Sequence, residues 1–245
     1  MLAVIGGSGL SQLAGLEGSQ RIEVRTPYGA PSGPLALGAI RGHPLVFLAR
    51  HGDGHTIAPH EINYRANLWA LKEQRVAGIV SIASVGGIRS DLGPGTLVLP
   101  DQIIDYTWGR CSTYFEGEGA TVTHVDFTQP YSDALRKRIA AAAAACKEPL
   151  REGGVYAATQ GPRLESAAEI DRLERDGADL VGMTGMPEAA LARELGLEYA
   201  SIAVVANHAA GRGESRHTVS LHQVEAVLER AMQRVLRIIE RLVTG

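Results

Sequence analysis

Four short segments hold the residue types that an anionic or polar ligand would require. They are Gly6-Gly7-Ser8-Gly9, Ala49-Arg50-His51-Gly52, Ala83-Ser84-Val85-Gly86-Gly87 and Ala206-Asn207-His208. Glycines let a backbone approach a ligand closely, and N–H groups beside a hydroxyl can cradle a phosphate. A tight turn uses the same residues, so the first segment alone leaves both readings open. It lacks the third glycine of a dinucleotide fingerprint and the Gly-Lys-Ser/Thr of a P-loop. Arg50 offers a planar fork of donors suited to phosphate, or to an ordinary surface salt bridge. In Gly182-Met183-Thr184-Gly185-Met186-Pro187-Glu188, Thr184 could cap the helix that Pro187 opens or hold a phosphate, and Met183 could be core. Glu165, in Gln160-Gly161-Pro162-Arg163-Leu164-Glu165-Ser166, could be a first-turn acid favoured by the helix dipole or a polar reader of a base.

His43, His51, His55 and His60 fall in turn-rich sequence with Asp53 as the only nearby carboxylate, so no metal site is expected there. The chain has no Gly-x-Ser-x-Gly elbow, no catalytic cysteine setting and no evident carboxylate pair. Phosphate-suited loops without a protein nucleophile favour a reaction in which phosphate itself attacks.

These loops need a scaffold, and the apolar pattern supplies one. Short Val- and Ile-rich runs at 2–5, 35–40, 45–49, 78–84, 96–99, 154–159, 180–182 and 199–205 read as strands of a largely buried sheet. Amphipathic stretches at 61–74, 132–147, 166–176, 187–195 and 220–242 read as helices, the last with the strongest period. This alternation predicts an α/β fold with a central mixed sheet flanked by helices. In such folds ligands gather at the carboxyl ends of strands, and all four segments lie at or just after a predicted strand end. No repeat or linker divides the chain, so one domain over 1–245 is expected.

Composition excludes several other classes. Hydrophobic residues make up 45% and charged residues 21%, the balance of a soluble globular protein. A net charge of −3 without a Lys/Arg cluster argues against nucleic acid, and 5% aromatics against single-strand stacking platforms. Met1-Leu2-Ala3-Val4-Ile5 runs directly into glycines without a basic n-region or a cleavage site, and no apolar run approaches the ~20 residues that span a bilayer. A cytoplasmic protein that engages no membrane is expected. Cys111 and Cys146 show no metal-ligand spacing and are expected to be reduced.

Taken in order, Ile5-Gly6-Gly7-Ser8-Gly9-Leu10, Leu48-Ala49-Arg50-His51-Gly52, Asn63-Tyr64-Arg65-Ala66-Asn67-Leu68-Trp69-Ala70-Leu71-Lys72, Gly161-Pro162-Arg163 and the segment 182–188 resemble the trimeric purine nucleoside phosphorylase and methylthioadenosine phosphorylase family. The resemblance runs from the first strand to the last helix. It implies an α/β phosphorylase fold, a homotrimer, inorganic phosphate as co-substrate, and neither metal nor organic cofactor. Matched position by position, Ser8, Arg50, His51 and Thr184 resemble the phosphate ligands, with Ala83 and Ser84 beside phosphate and ribose. Met183 resembles the residue under the ribose, and His124 the position that reaches into a neighbouring subunit's site.

Three positions separate the branches of that family. Adenine-specific members carry Thr-Asp-Tyr-Asp where this chain has Ala206-Asn207-His208-Ala209. Glu165 with Asn207 instead resembles the pair by which 6-oxopurine phosphorylases hold their base, and these two are the expected catalytic residues. A carboxylate accepts from N1–H, and an amide can serve O6 and N7. His208 and Ala209 are expected to complete the substrate wall. At the 5′ end Leu221, with Val224 one turn on, suits a methylthio group rather than a hydroxyl. Ala83 and Ala206 depart from relatives that often carry hydroxyl or amide side chains there. A 5′-methylthio-6-oxopurine nucleoside is the implied substrate.

Overall fold

The computed structural model describes residues 1–10 and 12–245. Its strands are β1 (Leu2–Gly6), β2 (Glu17–Ile22), β3 (Leu35–Ile40), β4 (His43–Ala49), β5 (Gly78–Gly87), β6 (Leu97–Leu99), β7 (Gln102–Asp105), β8 (Arg151–Glu152), β9 (Val155–Ala158), β10 (Leu180–Gly182) and β11 (Glu198–His208). The helices are α1 (Tyr64–Glu73), α2 (Asp133–Ala145), α3 (Ala167–Arg175), α4 (Gly185–Glu194) and α5 (Leu221–Thr244). The strands form one mixed sheet in the order β2-β3-β4-β1-β5-β10-β9-β7; β11 also pairs with β5, and β6 joins β11 to β8. This is the expected α/β architecture.

Along β1, Ala3 and Ile5 join one apolar cluster while Leu2 and Val4 join another, as the twofold period of a strand requires. The first cluster packs against α1 and α4, the second against α2 and α5. Both faces of the central strands are therefore covered, and no polar alternation survives in β1 or β5. In α5, Leu228, Met232, Val235, Ile238, Ile239 and Leu242 make the buried stripe. Each such burial contributes about 1.5–3 kcal/mol against exposure. Ser132, Ser166 and Ser220 cap α2, α3 and α5, each accepting a backbone N–H of the first turn.

Strand β5 is the pivot. Leu2 through Ile5 run parallel to Gly78 through Ser81, while β11 follows β5 along its whole length. Past the end of β1, β10 pairs antiparallel with Gly86 and Gly87. Both β5 and β11 continue three residues beyond their predicted ends, so Gly86-Gly87 and Ala206-Asn207-His208 are strand rather than loop. Glycine makes that extension possible: a Cβ on Gly87 would lie 2.0 Å from the Leu92 carbonyl oxygen. Strand β2 is unexpected from sequence. Its residues Glu17-Gly18-Ser19-Gln20-Arg21-Ile22 are exposed almost throughout, leaving no buried face to impose a period.

Candidate active site

A cavity of about 520 Å³ opens where β1, β4, β5 and β11 end. From the strand ends it takes Ser8, Arg50, His51, Ala83 and Ser84; from the β10–α4 junction, Met183 and Thr184. The turn before α3 contributes Glu165, the end of β11 Asn207 and Ala209, and the start of α5 Leu221 and Val224. Segments far apart in sequence thus share one concave wall.

The Gly6–Gly9 segment is both a turn and a lining element. Leu10 N–H bonds to the Gly7 carbonyl at 3.0 Å, and a Cβ on Gly7 would sit 2.5 Å from the Ile82 oxygen and 2.9 Å from Arg50 Nη1. Ser8 Oγ lies 3.5 Å from His55 Nε2. Arg50 is neither a surface salt bridge nor an open fork. It is fully buried, with Nε and Nη2 donating to the two Glu188 oxygens at 2.7 and 2.9 Å. Nη2 also donates to Ser81 Oγ at 2.6 Å, and Nη1 to the Ile82 carbonyl at 2.9 Å. One of its five N–H donors is left, on Nη1 beside Gly7. Burial works against the Arg50 charge, but Glu188 outweighs it and holds the guanidinium above its ordinary pKa.

Glu188 is itself fully buried and accepts from Ser81 and Tyr199 as well. The sequence motif contained Glu188 without revealing this role; its one signal was a carboxylate inside an otherwise apolar helix start. The backbone of α4 turns helical at Pro187, because Met186 is extended (φ −121°, ψ 141°). Thr184 occupies the cap position but its side chain makes no capping bond, so the hydroxyl is not engaged as a cap. Met183 is half-buried at the cavity wall rather than core, with Sδ where a Cβ on Gly161 would come within 2.5 Å. Only glycine fits at 161, whose φ is +63°.

Arg110, unremarked in the sequence, ties this wall together. It donates to the carbonyls of Met183 at 2.8 Å, Met186 at 2.6 Å and Gln160 at 2.8 Å, and stacks over Tyr64. It stands in irregular polar sequence, where periodicity carries no signal.

Glu165 precedes the Ser166 cap, so it is not a first-turn acid; Glu169 fills that position and closes a capping box with Ser166. Glu165 Oε1 accepts from Thr159 Oγ1 at 2.6 Å. Asn207 Nδ2 donates to the His208 carbonyl at 2.6 Å, leaving one amide hydrogen and Oδ1.

One residue expected on this wall lies elsewhere. His208 does not line the cavity: Ala206, Asn207, Ala209 and Ala210 do, while the His208 ring lies against Gly93 and Gly213. His124, expected in a neighbouring subunit's site, is exposed in irregular chain and lines no part of its own chain's cavity. At the 5′ wall, Leu221 is 66% exposed and lies off the buried stripe of α5, which starts at Leu228; Val224 packs partly against that stripe. Val219, His55 and Ile57 also line the cavity, His55 having drawn notice in the sequence only as one of four histidines.

The chain matches the phosphorylase superfamily model over residues 1–244. It belongs to that superfamily. Among similar members, a Xanthomonas campestris pv. campestris protein named probable S-methyl-5′-thioinosine phosphorylase is 52% identical over 244 residues, covering 100% of this chain and 97% of its own. The 6-oxopurine nucleoside phosphorylase of Pyrococcus furiosus is 41% identical, with 97% and 90% of the two chains covered. Among solved structures, methylthioadenosine phosphorylase from Schistosoma mansoni in complex with adenine superposes with a TM-score of 0.92 at 32% identity, over 99% of this chain and 90% of that one.

Of the two histidines lining this phosphorylase cavity, His51 has a tautomer defined by its backbone contact. His51 Nδ1 lies 2.9 Å from the Ile57 carbonyl, which can only accept, so Nδ1 carries the hydrogen and Nε2 offers a lone pair. Burial, and then the adjacent Arg50 charge, push the ring from 6.5 down to about 4. Between those values the unfolded chain binds the proton more readily than the fold does. His51 should therefore destabilise the protein as pH falls from 6.5 to about 4 and be neutral in effect above 6.5. Melting curves across that window should fall more steeply for the wild type than for His51→Gln; parallel curves would refute the assignment.

Proposed function

We propose that this phosphorylase cleaves S-methyl-5′-thioinosine with inorganic phosphate, yielding hypoxanthine and S-methyl-5-thioribose 1-phosphate. The observation that carries the reading is one cavity wall with three chemistries: phosphate-suited groups, the Glu165–Asn207 pair, and apolar Val219, Leu221 and Val224. The names of the similar proteins support it.

In the proposed reaction the C1′–N9 bond breaks as its electron pair passes to the purine, and a phosphate oxygen then bonds to C1′. Asn207 donates a hydrogen bond from its free amide N–H to N7, where charge develops, and Glu165 accepts one from N1–H. The proton that phosphate gives up on bonding to C1′ ends on the purine anion, giving hypoxanthine. Ser8, Ser84, Thr184 and the remaining Arg50 N–H donate to the phosphate and His51 Nε2 accepts from its P–OH, while the phosphate charge steadies the oxocarbenium-like ribosyl group. Met183 lies under the ribose, and Ala83 and Ala209 bound it. Catalysis is positioning and electrostatics with no covalent enzyme intermediate, so phosphate is the sole co-substrate and neither metal nor organic cofactor takes part.

The enzyme works in the cytoplasm as a homotrimer in which His124 completes a neighbouring site. Exposed Trp108 and Val122, on the same irregular stretch as His124, support a covered interface there. None of its helices is long and apolar enough to cross a membrane among the described residues.

Product analysis with methylthioinosine, methylthioadenosine and inosine, each with and without phosphate, tests the function. Hypoxanthine and the sugar phosphate should appear from methylthioinosine only when phosphate is present. Undiminished base release without phosphate would overturn phosphorolysis. Equal use of inosine would make the enzyme a general 6-oxopurine phosphorylase.

The 5′ wall gives a further expectation. Burying a thiomethyl group against Leu221 and Val224 contributes about 1–3 kcal/mol. Leu221→His should lower the methylthioinosine-to-inosine ratio of kcat/KM by about tenfold. An unchanged ratio would remove Leu221 from the substrate wall.

A further inference from the structure

We propose that Thr159 is a positioning residue for base selection, acting through Glu165. The inference rests on the reading above that Glu165 accepts from the purine N1–H.

Thr159 follows directly on β9, and its backbone N–H donates to the Gly182 carbonyl at 2.8 Å, so its own position is set by the sheet. Its carbonyl in turn lies 3.3 Å from Arg110 Nη2. From this anchored residue Oγ1 reaches Glu165 Oε1 at 2.6 Å. The same hydroxyl is 3.3 Å from the Gly182 oxygen, but that oxygen already accepts the Thr159 N–H, and the shorter contact to a carboxylate is the stronger one.

The consequence concerns the geometry of the carboxylate. Glu165 sits in a turn before the α3 cap, not within a helix or strand, so its own backbone does little to orient the side chain. A hydroxyl with one hydrogen donates it to Oε1, which keeps that oxygen an acceptor and leaves Oε2 to face a donor in the cavity. A 6-oxopurine offers N1–H as that donor; adenine offers a bare N1. Thr159 thus holds the carboxylate in the orientation that favours oxopurines.

The test compares Thr159→Val, which keeps the shape and removes the hydroxyl, with Thr159→Ser, which keeps the hydroxyl. Both are assayed on methylthioinosine and methylthioadenosine and in a Glu165→Gln background. Thr159→Val should lower kcat/KM for methylthioinosine by about 10–100-fold, with methylthioadenosine changed by less than about threefold. Thr159→Ser should stay within about threefold of wild type on both substrates. In the Glu165→Gln background, Thr159→Val should add no more than about twofold, since the two residues act as one unit. Equal losses on both substrates, or full additivity with Glu165→Gln, would overturn the proposal. If Glu165→Gln itself leaves base preference unaltered, the role of Glu165 fails first, and the two failures are distinguished.

Discussion

Glu188→Ala should lower the melting temperature by roughly 6–20 °C. The ion pair it breaks is fully buried on both sides, with Arg50 Nε and Nη2 bonded to both carboxylate oxygens. Removing one partner leaves an uncompensated buried charge, which costs about 3–5 kcal/mol. In a chain of this size each kcal/mol shifts the midpoint by about 2–4 °C. The loss extends beyond the pair, because Ser81 and Tyr199 also donate to Glu188 and would be left unpaired. Arg50→Met with Glu188→Leu separates stability from function. That double variant should recover much of the melting temperature, since a packed apolar pair can replace a buried salt bridge, while the apparent KM for phosphate rises sharply. A melting temperature for Glu188→Ala within about 2 °C of wild type would show that the pair does not hold the strand ends together.

Glu165→Ala should cut kcat/KM for methylthioinosine by about 100-fold and change methylthioadenosine turnover far less. In the wild type a carboxylate built to accept N1–H has no partner when adenine enters, so discrimination of about 100-fold or more between the two bases is expected. Asn207→Asp with Glu165→Ser should move selectivity toward adenine, because an acid at 207 could accept from the 6-amino group or donate to N7. Competing the two nucleosides in one reaction reads the ratio directly. Parity in the wild type would remove the base-reading role from both residues.

The sequence by itself determined the frame. Apolar strands alternating with amphipathic helices leave no arrangement but a covered sheet, and the strongest period lies in α5, where the buried stripe is observed. The four strand-end segments marked part of the cavity wall, because that is where backbone groups are free to meet a ligand. Tertiary structure decided what each side chain is free to do. Arg50 reads as an open fork until Glu188, remote in sequence, takes its Nε–Nη2 edge and the Ile82 carbonyl takes one Nη1 hydrogen. His208 reads as a companion of Asn207 until packing sets its ring against Gly93 and Gly213, away from the cavity. Thr159 and Arg110 have no signal at all in one dimension, since their importance lies in carbonyls and a carboxylate that folding brings to them. A residue's type limits which bonds it can make, but which partners are already taken is settled only when distant segments pack, and at this cavity those partners set which donors and acceptors remain for a substrate.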